Sequence, residues 1–399
     1  MKQLIFVTGL FRSGTTWLAR ALNAHPQIAF ESDPIAPIFN SFRHDIAKKE
    51  YKKKNLRFSP LEDYFDKNTD LLNLILYSNL KTILKKNIAN KILRLIKEKN
   101  LPFENGNWTS TFTGFKNCKN YSDAINKAIK HIDSISKKKS KVVGFKEVWT
   151  NEMAAPLLRS FNNSKSIIIT RDPRSILASR NAMMQKYPPI FIARQWRKSI
   201  FIENFLKKNF KDRVLSVRYE DLITNKEKYF KKICKFLDVK FSKNLLDEDK
   251  YLDGQGNPWK KNSSFSYEGK RYIVSSNENF KKKIRLKDKF LKKNNIKSKE
   301  KWKSTLSKND INTIEFICYD EMKYMNYKLV NNLSKVSNMN ASKLKTYPKS
   351  KLANWIKPYA IDQKKIDLKK IINDEKQRLK LIKNKKYIDS FAKLRFQII

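Results

Sequence analysis

Residues 5–16 read IFVTGLFRSGTT and join a short apolar run to a loop that contains two glycines. Gly9 and Gly14 are five positions apart, as in the phosphate-binding loop G-x-x-x-x-G-K-[ST]. The lysine position of that loop is Thr15 here, and an arginine, Arg12, lies inside the loop instead. The next segment, TTWLARALNAHP, has a helical pattern that ends at its proline. We therefore expect a strand, a loop, and a helix whose N-terminus binds an anion.

Apolar runs typical of buried strands recur along the chain, and each is followed by a helical pattern. The strand segments are residues 4–9, 141–146, 166–170 and 213–220. This alternation predicts an α/β fold with a P-loop-like parallel β-sheet flanked by helices. Residues 46–139 are rich in lysine and have apolar residues at helical spacing. We interpret them as a helical insertion in the α/β domain.

Composition limits the class of protein. The chain has 399 residues and a formal net charge of +48, which could indicate a nucleic-acid-binding or other polyanion-binding protein. The excess of lysine is spread along the chain, however, and we attribute most of it to compositional bias. Residues 335–399 are denser in charge, with 18 basic and 5 acidic residues. Three widely spaced cysteines and no long apolar segment predict a cytoplasmic protein without a disulfide framework or transmembrane segment.

A second constellation is IIITRDPRSILASR, at residues 167–180. Arg171 follows a predicted strand, Asp172 is suited to cap the next helix, and Ser179 lies two turns further on. Ligands of open α/β sheets bind outside the carboxyl ends of the strands, so we expect Arg171 to share a crevice with the first loop. The alternative is that Arg171 only forms an ion pair with Asp172 or Glu220.

These two motifs resemble those of the sulfotransferases that use 3′-phosphoadenosine 5′-phosphosulfate (PAPS). In that family an [RK]-S-G-T-T loop holds the 5′-phosphosulfate, and an R-D-P-R…S segment holds the 3′-phosphate through its Arg and Ser. The similarity extends to GFKE, VRYEDL, GNPWKKNSSF and residues 301–327, and so covers most of residues 1–334. The resemblance implies a sulfotransferase domain over 1–334, with the 46–139 insertion bordering the acceptor site. Residues 335–399 would be a basic, helical extension, free to dock on the domain, an acidic polymer or a lipid surface, and removable without loss of fold or activity.

The resemblance also implies a set of ligands for PAPS, with 3′,5′-ADP as the released product and no metal requirement. Sulfuryl transfer needs no nucleotide-bound magnesium, so other cations can replace the lysine and metal of an NTPase. The implied contacts to the 5′-phosphosulfate are Arg12, Ser13, Gly14, Thr15 and Thr16, and those to the 3′-phosphate are Arg171 and Ser179. Tyr219, Asn262, Ser263 and Ser264 would contribute further nucleotide contacts, although the loop around Asn262 is also compatible with a simple turn.

Catalysis requires a base for the acceptor hydroxyl and stabilisation of the charge on the leaving phosphate. The carbohydrate and tyrosyl-protein branches of the family carry a carboxylate at the position of Asp33, which precedes a proline as in the carbohydrate branch. Those branches usually have Glu there, so Glu31 is an alternative base, and either carboxylate could instead be only an ion-pair partner. His44 is unassigned, although the small-molecule branch uses a histidine base. Arg12 is expected to neutralise the leaving phosphate.

Lys146 of GFKE corresponds to a lysine that stabilises the transferring group in the tyrosyl-protein branch. A salt bridge of Lys146 with Glu147 or Asp33 is the structural alternative.

The acceptor implied by the Asp-Pro pair and the large insertion is a carbohydrate hydroxyl on a glycan or glycolipid. A tyrosine of a protein and a hydroxylated small metabolite are the alternative acceptors. A P-loop kinase or NTPase is disfavoured because Thr15 replaces the loop lysine and no apolar strand ends in a clear magnesium-binding aspartate. A protein that only binds polyanions would leave the two phosphate motifs unexplained.

Overall fold

The computed structural model describes residues 2–51, 69–100, 108, 111–136, 138–179, 182, 187–251, 264–267, 270–273, 300–332 and 368–383. The chain forms two compact units. The first comprises Met1–Pro60, Leu71–Thr170 and Ile202–Ser263, and the second comprises Leu61–Asp70, Arg171–Phe201 and Ser264–Ile399.

The strands are β1 (Gln3–Thr8), β2 (Ile28–Ser32), β3 (Val142–Lys146), β4 (Ser164–Thr170), β5 (Val214–Arg218), β6 (Ser264–Tyr267) and β7 (Lys270–Ile273). The α-helices are α1 (Thr15–Ala24), α2 (Ala36–Tyr51), α3 (Thr69–Tyr77), α4 (Lys86–Asn100), α5 (Tyr121–Ser136), α6 (Ala154–Ser160), α7 (Pro173–Leu177), α8 (Pro189–Phe210), α9 (Tyr219–Thr224), α10 (Lys226–Phe236), α11 (Lys301–Thr305), α12 (Lys308–Tyr324) and α13 (Leu368–Lys383). Short 3₁₀ turns occur at Asn151–Met153, Lys211–Arg213, Lys243–Leu245 and Glu248–Lys250.

A five-stranded parallel sheet forms the centre of the first unit, in the order β2-β3-β1-β4-β5. This confirms the predicted α/β fold. The strands are buried almost throughout, which is typical of a parallel sheet covered on both faces. Helix α1 packs Leu18 and Leu22 into a core that also contains Ile167 of β4 and Phe230 of α10. All five carboxyl ends consequently lie at one edge of the sheet.

The predicted helical insertion contains α3, α4 and α5 among the described residues, but helical structure already begins with α2, ten residues before position 46. Strand β2 had no counterpart among the predicted strands. Its sequence, IAFES, ends in two polar residues, yet all five of its residues are buried.

The second unit contains a buried network of ion pairs around Arg174. The guanidinium lies 2.7 Å from Asp172 and 2.6 Å from Glu315, and it stacks over the ring of Trp302 at 4.0 Å. Glu315 also accepts hydrogen bonds from the backbone of Val330 and Asn331, both at 2.9 Å. This network joins α7, α11 and α12. It also shows that Arg174, the second arginine of R-D-P-R, has a structural role.

The C-terminal helix α13 belongs to the same unit and is anchored by a second buried network. Arg197 of α8 donates to both carboxylate oxygens of Glu375 at 2.7 Å, and Arg378 pairs with Glu321 of α12. Both arginines also donate to the carbonyl of Ile317, next to a residue of α12 with non-helical φ and ψ. All five residues are buried. This packing argues against the expectation that residues 335–399 can be removed without loss of structure.

No helix among the residues that the structure describes is long and apolar enough to cross a membrane.

Candidate active site

The loop between β1 and α1 has the geometry of an anion site. Arg12 and Gly14 adopt left-handed conformations, with φ of 64° and 98°, and the Arg12 side chain is exposed. The first helical hydrogen bond runs from Leu18 N to Gly14 O at 3.0 Å, and no described side chain caps this end of α1. The N–H groups of the first turn are therefore available to a ligand, and the helix dipole favours a negative one.

Ser13 provides an independent indication of a ligand at this loop. It is fully buried, and its hydroxyl has no hydrogen-bond partner in the described part of the chain. A buried hydroxyl without a partner is costly unless a ligand or water satisfies it. A phosphosulfate oxygen is a suitable partner, so the residues of this loop fit the group that the sequence motif implies.

Both loop glycines are needed for close packing. A Cβ at Gly9 would lie 2.3 Å from the carbonyl oxygen of Ile169 in β4. A Cβ at Gly14 would lie 2.4 Å from the ring of Tyr219, the first residue of α9. The Tyr219 ring therefore packs directly against the loop, which places this predicted nucleotide contact beside the predicted phosphate contacts.

Asp33 and Lys146 form an ion pair at the ends of two neighbouring strands. The Asp33 Oδ2 lies 2.5 Å from Lys146 Nζ, and Asp33 N donates to Lys146 O at 2.7 Å. The lysine side chain is 2% exposed and the aspartate side chain 13%, so the aspartate is the more accessible partner. Lys146 is also in register with Val7 of β1, two residues before the loop. The pair thus lies next to the strand that carries the anion-binding loop.

Glu31 has a different environment from Asp33. It is buried in β2, and its Oε1 accepts a hydrogen bond from Ser32 N at 2.9 Å. Asp33 follows the strand with φ of 53°, a left-handed conformation that interrupts the alternation of side chains. Asp33 is the more accessible of the two carboxylates.

Glu147 holds the backbone around the ion pair in place. Its Oε1 accepts from Ile35 N at 2.5 Å, its N–H donates to Val7 O at 3.2 Å, and its carbonyl accepts from the Thr8 hydroxyl at 3.0 Å. The same hydroxyl bonds Asn151 Oδ1 at 2.8 Å. These contacts could not be predicted from a local sequence pattern, because Thr8 and Asn151 are 143 positions apart.

Two aromatic residues border the loop and were also not predicted. The rings of Phe11 and Trp149 stack at 4.5 Å with an interplanar angle of 18°. Trp149 has φ of 65°, so the segment after β3 turns sharply at this residue. The stack ties this turn to the anion-binding loop. The available signal in the sequence was the tryptophan that follows shortly after GFKE.

His44 and His25 have different environments. Partial burial and the charges of Arg43 and Lys91 lower the pKa of His44. His25 is buried at the end of α1. There its Nδ1 accepts from Gln27 N at 3.1 Å and its Nε2 lies 2.8 Å from Lys240 O, which fixes its tautomer and orientation.

The second unit carries the other predicted phosphate ligands. Arg171 directly follows β4, and its carbonyl accepts from Trp196 Nε1 at 2.8 Å. Asp172 caps α7 by accepting from Arg174 N, as the sequence predicted, and its carboxylate pairs with Arg174. Ser179 Oγ accepts from Ala182 N at 3.4 Å.

Of the other three predicted nucleotide contacts, only Ser264 is among the described residues. Ser264 is the first residue of β6, which pairs with β7 as an antiparallel ribbon. Asn262 and Ser263 lie outside the described residues.

A family model described as the sulfotransferase family matches residues 4–243, which is more than half of the chain. The chain therefore belongs to the sulfotransferase family, and the protein is a PAPS-dependent enzyme of that family. No curated protein matches the chain significantly.

Several solved structures are similar to the chain. The sulfotransferase domain from the curacin biosynthetic pathway is 18% identical, with 82% of this chain and 99% of that one covered and a TM-score of 0.43. The corresponding domain of the Synechococcus PCC 7002 olefin synthase is 17% identical, with 79% and 94% covered and a TM-score of 0.42. Retinol dehydratase in a complex with retinol and PAP is 13% identical, with 82% and 83% covered and a TM-score of 0.32. These values are too low for any of the three to indicate the acceptor of this chain.

Proposed function

We propose that the enzyme transfers the sulfuryl group of PAPS to a carbohydrate hydroxyl and releases 3′,5′-ADP. The observation that carries this proposal is the Asp33–Lys146 pair beside the anion-binding loop, with its carboxylate partly exposed. Asp33 precedes Pro34, as the corresponding residue does in the carbohydrate branch that the sequence resembles. The cytoplasm is proposed as the site of action, because the three cysteines are unpaired.

In this proposal the loop residues bind and orient the phosphosulfate. The N–H groups at the start of α1 and the Ser13 hydroxyl donate to its oxygens, and Arg12 adds a positive charge where the leaving phosphate becomes more negative. Thr15 and Thr16 add hydroxyl groups at the same helix end. Following the family motif, Arg171 and Ser179 bind the 3′-phosphate, while Tyr219, Asn262, Ser263 and Ser264 complete the nucleotide site.

Asp33 acts as the general base. Its carboxylate accepts the proton of the acceptor hydroxyl while the hydroxyl oxygen forms a bond to sulfur and the bond from sulfur to the phosphate oxygen breaks. Lys146 holds this carboxylate in position and, as in the tyrosyl-protein branch, supplies positive charge near the transferring group. No divalent metal takes part, so chelation with EDTA should leave the rate unchanged.

The acceptor class can be tested directly with PAPS labelled in its sulfuryl group and a panel of glycans, glycolipids, tyrosine-containing peptides and small phenols. Label transferred to glycans or glycolipids, and lost in Asp33→Asn, supports the proposal. Label found only in tyrosine peptides or in small phenols would replace the carbohydrate assignment with the corresponding alternative. If Asp33→Asn transfers the label as fast as the unmodified enzyme, Asp33 is not the general base.

A further inference from the structure

Residues 81–97, KTILKKNIANKILRLIK, contain six basic residues and no acidic one. They lie in the first unit and form an ordered surface, which we call the 81–97 surface. Leu84 N donates to Lys119 O at 2.9 Å, Ile83 pairs with Asn120 in an isolated bridge, and the segment continues into α4. The backbone of this basic stretch is therefore held in place by the protein.

Helix α4 is amphipathic, and its apolar face is already used. Ala89, Ile92 and Ile96 are buried at helical spacing, which fixes the orientation of the helix on the domain. The rest of the helix surface presents Lys86 and Lys91 to solvent together with other polar residues. The helix cannot rotate to hide its cationic face without exposing the buried one.

The lysines of the 81–97 surface form no ion pair with the carboxylates that the structure describes. All five are exposed. They are Lys81, Lys85, Lys86, Lys91 and Lys97. Elsewhere in the first unit, exposed lysines such as Lys2 and Lys231 pair with a carboxylate at 2.6 Å. The 81–97 surface therefore has uncompensated positive charge.

Large apolar side chains are exposed among these cations. Ile83 is 74% exposed and Leu95 is 39% exposed, and they are two of the five large hydrophobic residues exposed in the described part of the chain. Ile88, Lys91 and Leu95 follow the i, i+3, i+7 spacing and so lie along one face of α4. Exposed apolar and cationic side chains therefore occur together in this segment.

We propose that the 81–97 surface binds the surface of a phospholipid bilayer that carries anionic headgroups. Lysines attract the anionic headgroups, and Ile83 and Leu95 enter the boundary between headgroups and acyl chains, where apolar side chains are stabilised. A soluble polyanion would satisfy the lysines but would leave Ile83 and Leu95 in water. This combination of unpaired charge and exposed apolar side chains is what favours a bilayer.

The experiment is co-sedimentation of the full-length protein with vesicles of phosphatidylcholine alone or mixed with phosphatidylserine. Two double variants test the two components of the surface. Lys91→Gln/Lys97→Gln removes charge, and Ile83→Ser/Leu95→Ser removes apolar surface. Lys228→Gln/Lys232→Gln on α10 is the matched control, because both lysines are exposed and that helix exposes no large hydrophobic residue. Melting temperature and transfer to a water-soluble acceptor verify that each variant is folded.

We expect binding to the phosphatidylserine vesicles and little to phosphatidylcholine alone. Lys91→Gln/Lys97→Gln should lower the partition coefficient by about 30-fold, since each cation near an anionic surface is worth about 1 kcal/mol. Ile83→Ser/Leu95→Ser should lower it by about tenfold with the charge unchanged. The control pair should have a much smaller effect.

Equal losses in the control pair would show that the net charge of the protein, and no particular surface, drives binding, and would overturn the proposal. An unchanged partition coefficient in Ile83→Ser/Leu95→Ser would also overturn the bilayer proposal, and would indicate a site for a soluble polyanion. Absence of binding to phosphatidylserine vesicles at low salt would also exclude the proposal. None of these outcomes bears on the sulfotransferase activity, which is measured separately with the soluble acceptor.

Discussion

Asp33 and Lys146 contact each other twice, through their side chains at 2.5 Å and through a backbone hydrogen bond at 2.7 Å. The backbone contact continues the pairing of β2 with β3 by one residue, although Asp33 has φ of 53°. A left-handed residue at this point costs free energy and persists only when its surroundings fix it. The carboxylate is therefore held in one position beside a cation, which is an arrangement suited to a base that must face the acceptor.

The first prediction is that Asp33→Asn lowers turnover by roughly 10²–10⁴, the usual contribution of a positioned base. PAPS affinity should be retained, since the amide is nearly isosteric. Glu31→Gln is the matched control and should keep most of its turnover, because Glu31 bonds the adjacent backbone inside β2. Steady-state kinetics and nucleotide binding measure both effects. A large loss of turnover only in Glu31→Gln would transfer the base to Glu31.

Nucleotide selectivity gives the second prediction. The product 3′,5′-ADP should raise the melting temperature without magnesium, and ADP should do so much less because it lacks the 3′-phosphate. Each charge-assisted hydrogen bond contributes about 1.5–3 kcal/mol, so the loss of those from Arg171 and Ser179 weakens binding on the order of a hundredfold or more. Equal stabilisation by the two nucleotides would contradict the assignment of these residues.

The two site arginines should differ in kinetic effect. Arg171→Ala is expected to weaken PAPS binding and leave the rate at saturation nearly unchanged. Arg12→Ala should in addition slow transfer by about 10²–10³, because Arg12 is assigned to the charge that develops on the leaving phosphate. Single-turnover rates at saturating PAPS separate the two cases. A change in affinity alone in Arg12→Ala would remove its catalytic role.

Acid should destabilise the fold through its histidines. Burial lowers the pKa of His25 below its ordinary value of 6.5, and burial likewise lowers those of His44 and His131. A histidine of this kind binds fewer protons in the folded state. Its stabilising contribution is therefore present above pH 6.5 and is lost as the pH falls through the lowered pKa. His25→Asn should flatten the dependence of the free energy of unfolding on pH below 6.5. An unchanged slope would exclude His25 as a cause.

The ion pairs of α13 give the fifth prediction. Glu375→Gln removes the carboxylate that pairs with the buried Arg197 and should cost about 3–5 kcal/mol of unfolding free energy. Asp320→Asn is the control, since it removes a half-buried carboxylate from α12 that forms no ion pair with the described residues. Denaturant titration compares the two. Equal stabilities would show that α13 contributes little to the second unit.

The sequence was sufficient for the parts of the fold that depend on local patterns. The apolar runs located β1, β3, β4 and β5 within about two residues, because strands buried on both faces are continuously hydrophobic. Strand β2 was not predicted, since the polar residues Glu31 and Ser32 break that signal. Its neighbours in the sheet bury it regardless.

The site was predictable where a motif contains its own chemistry, as in the loop from Gly9 to Thr16. The left-handed conformation of Asp33 was not, because it depends on a hydrogen bond to Lys146, 113 positions away. The Arg197–Glu375 pair could not be predicted for the same reason, since no local pattern links residues 178 positions apart. Polar contacts between residues that are far apart in the sequence are thus the main features of the site and the fold that could not be predicted.

The late position of Glu375 has a consequence for synthesis of the chain. Arg197 emerges from the ribosome 178 residues before its partner, which at about 5–20 residues per second is a wait of roughly ten to thirty-five seconds. During that interval the first unit can already fold, since the last strand of its sheet ends at Arg218. The second unit can complete its ion pairs only after Glu375 has been synthesised. A product of premature termination would therefore combine a folded first unit with an unfolded second unit, which proteases can recognise.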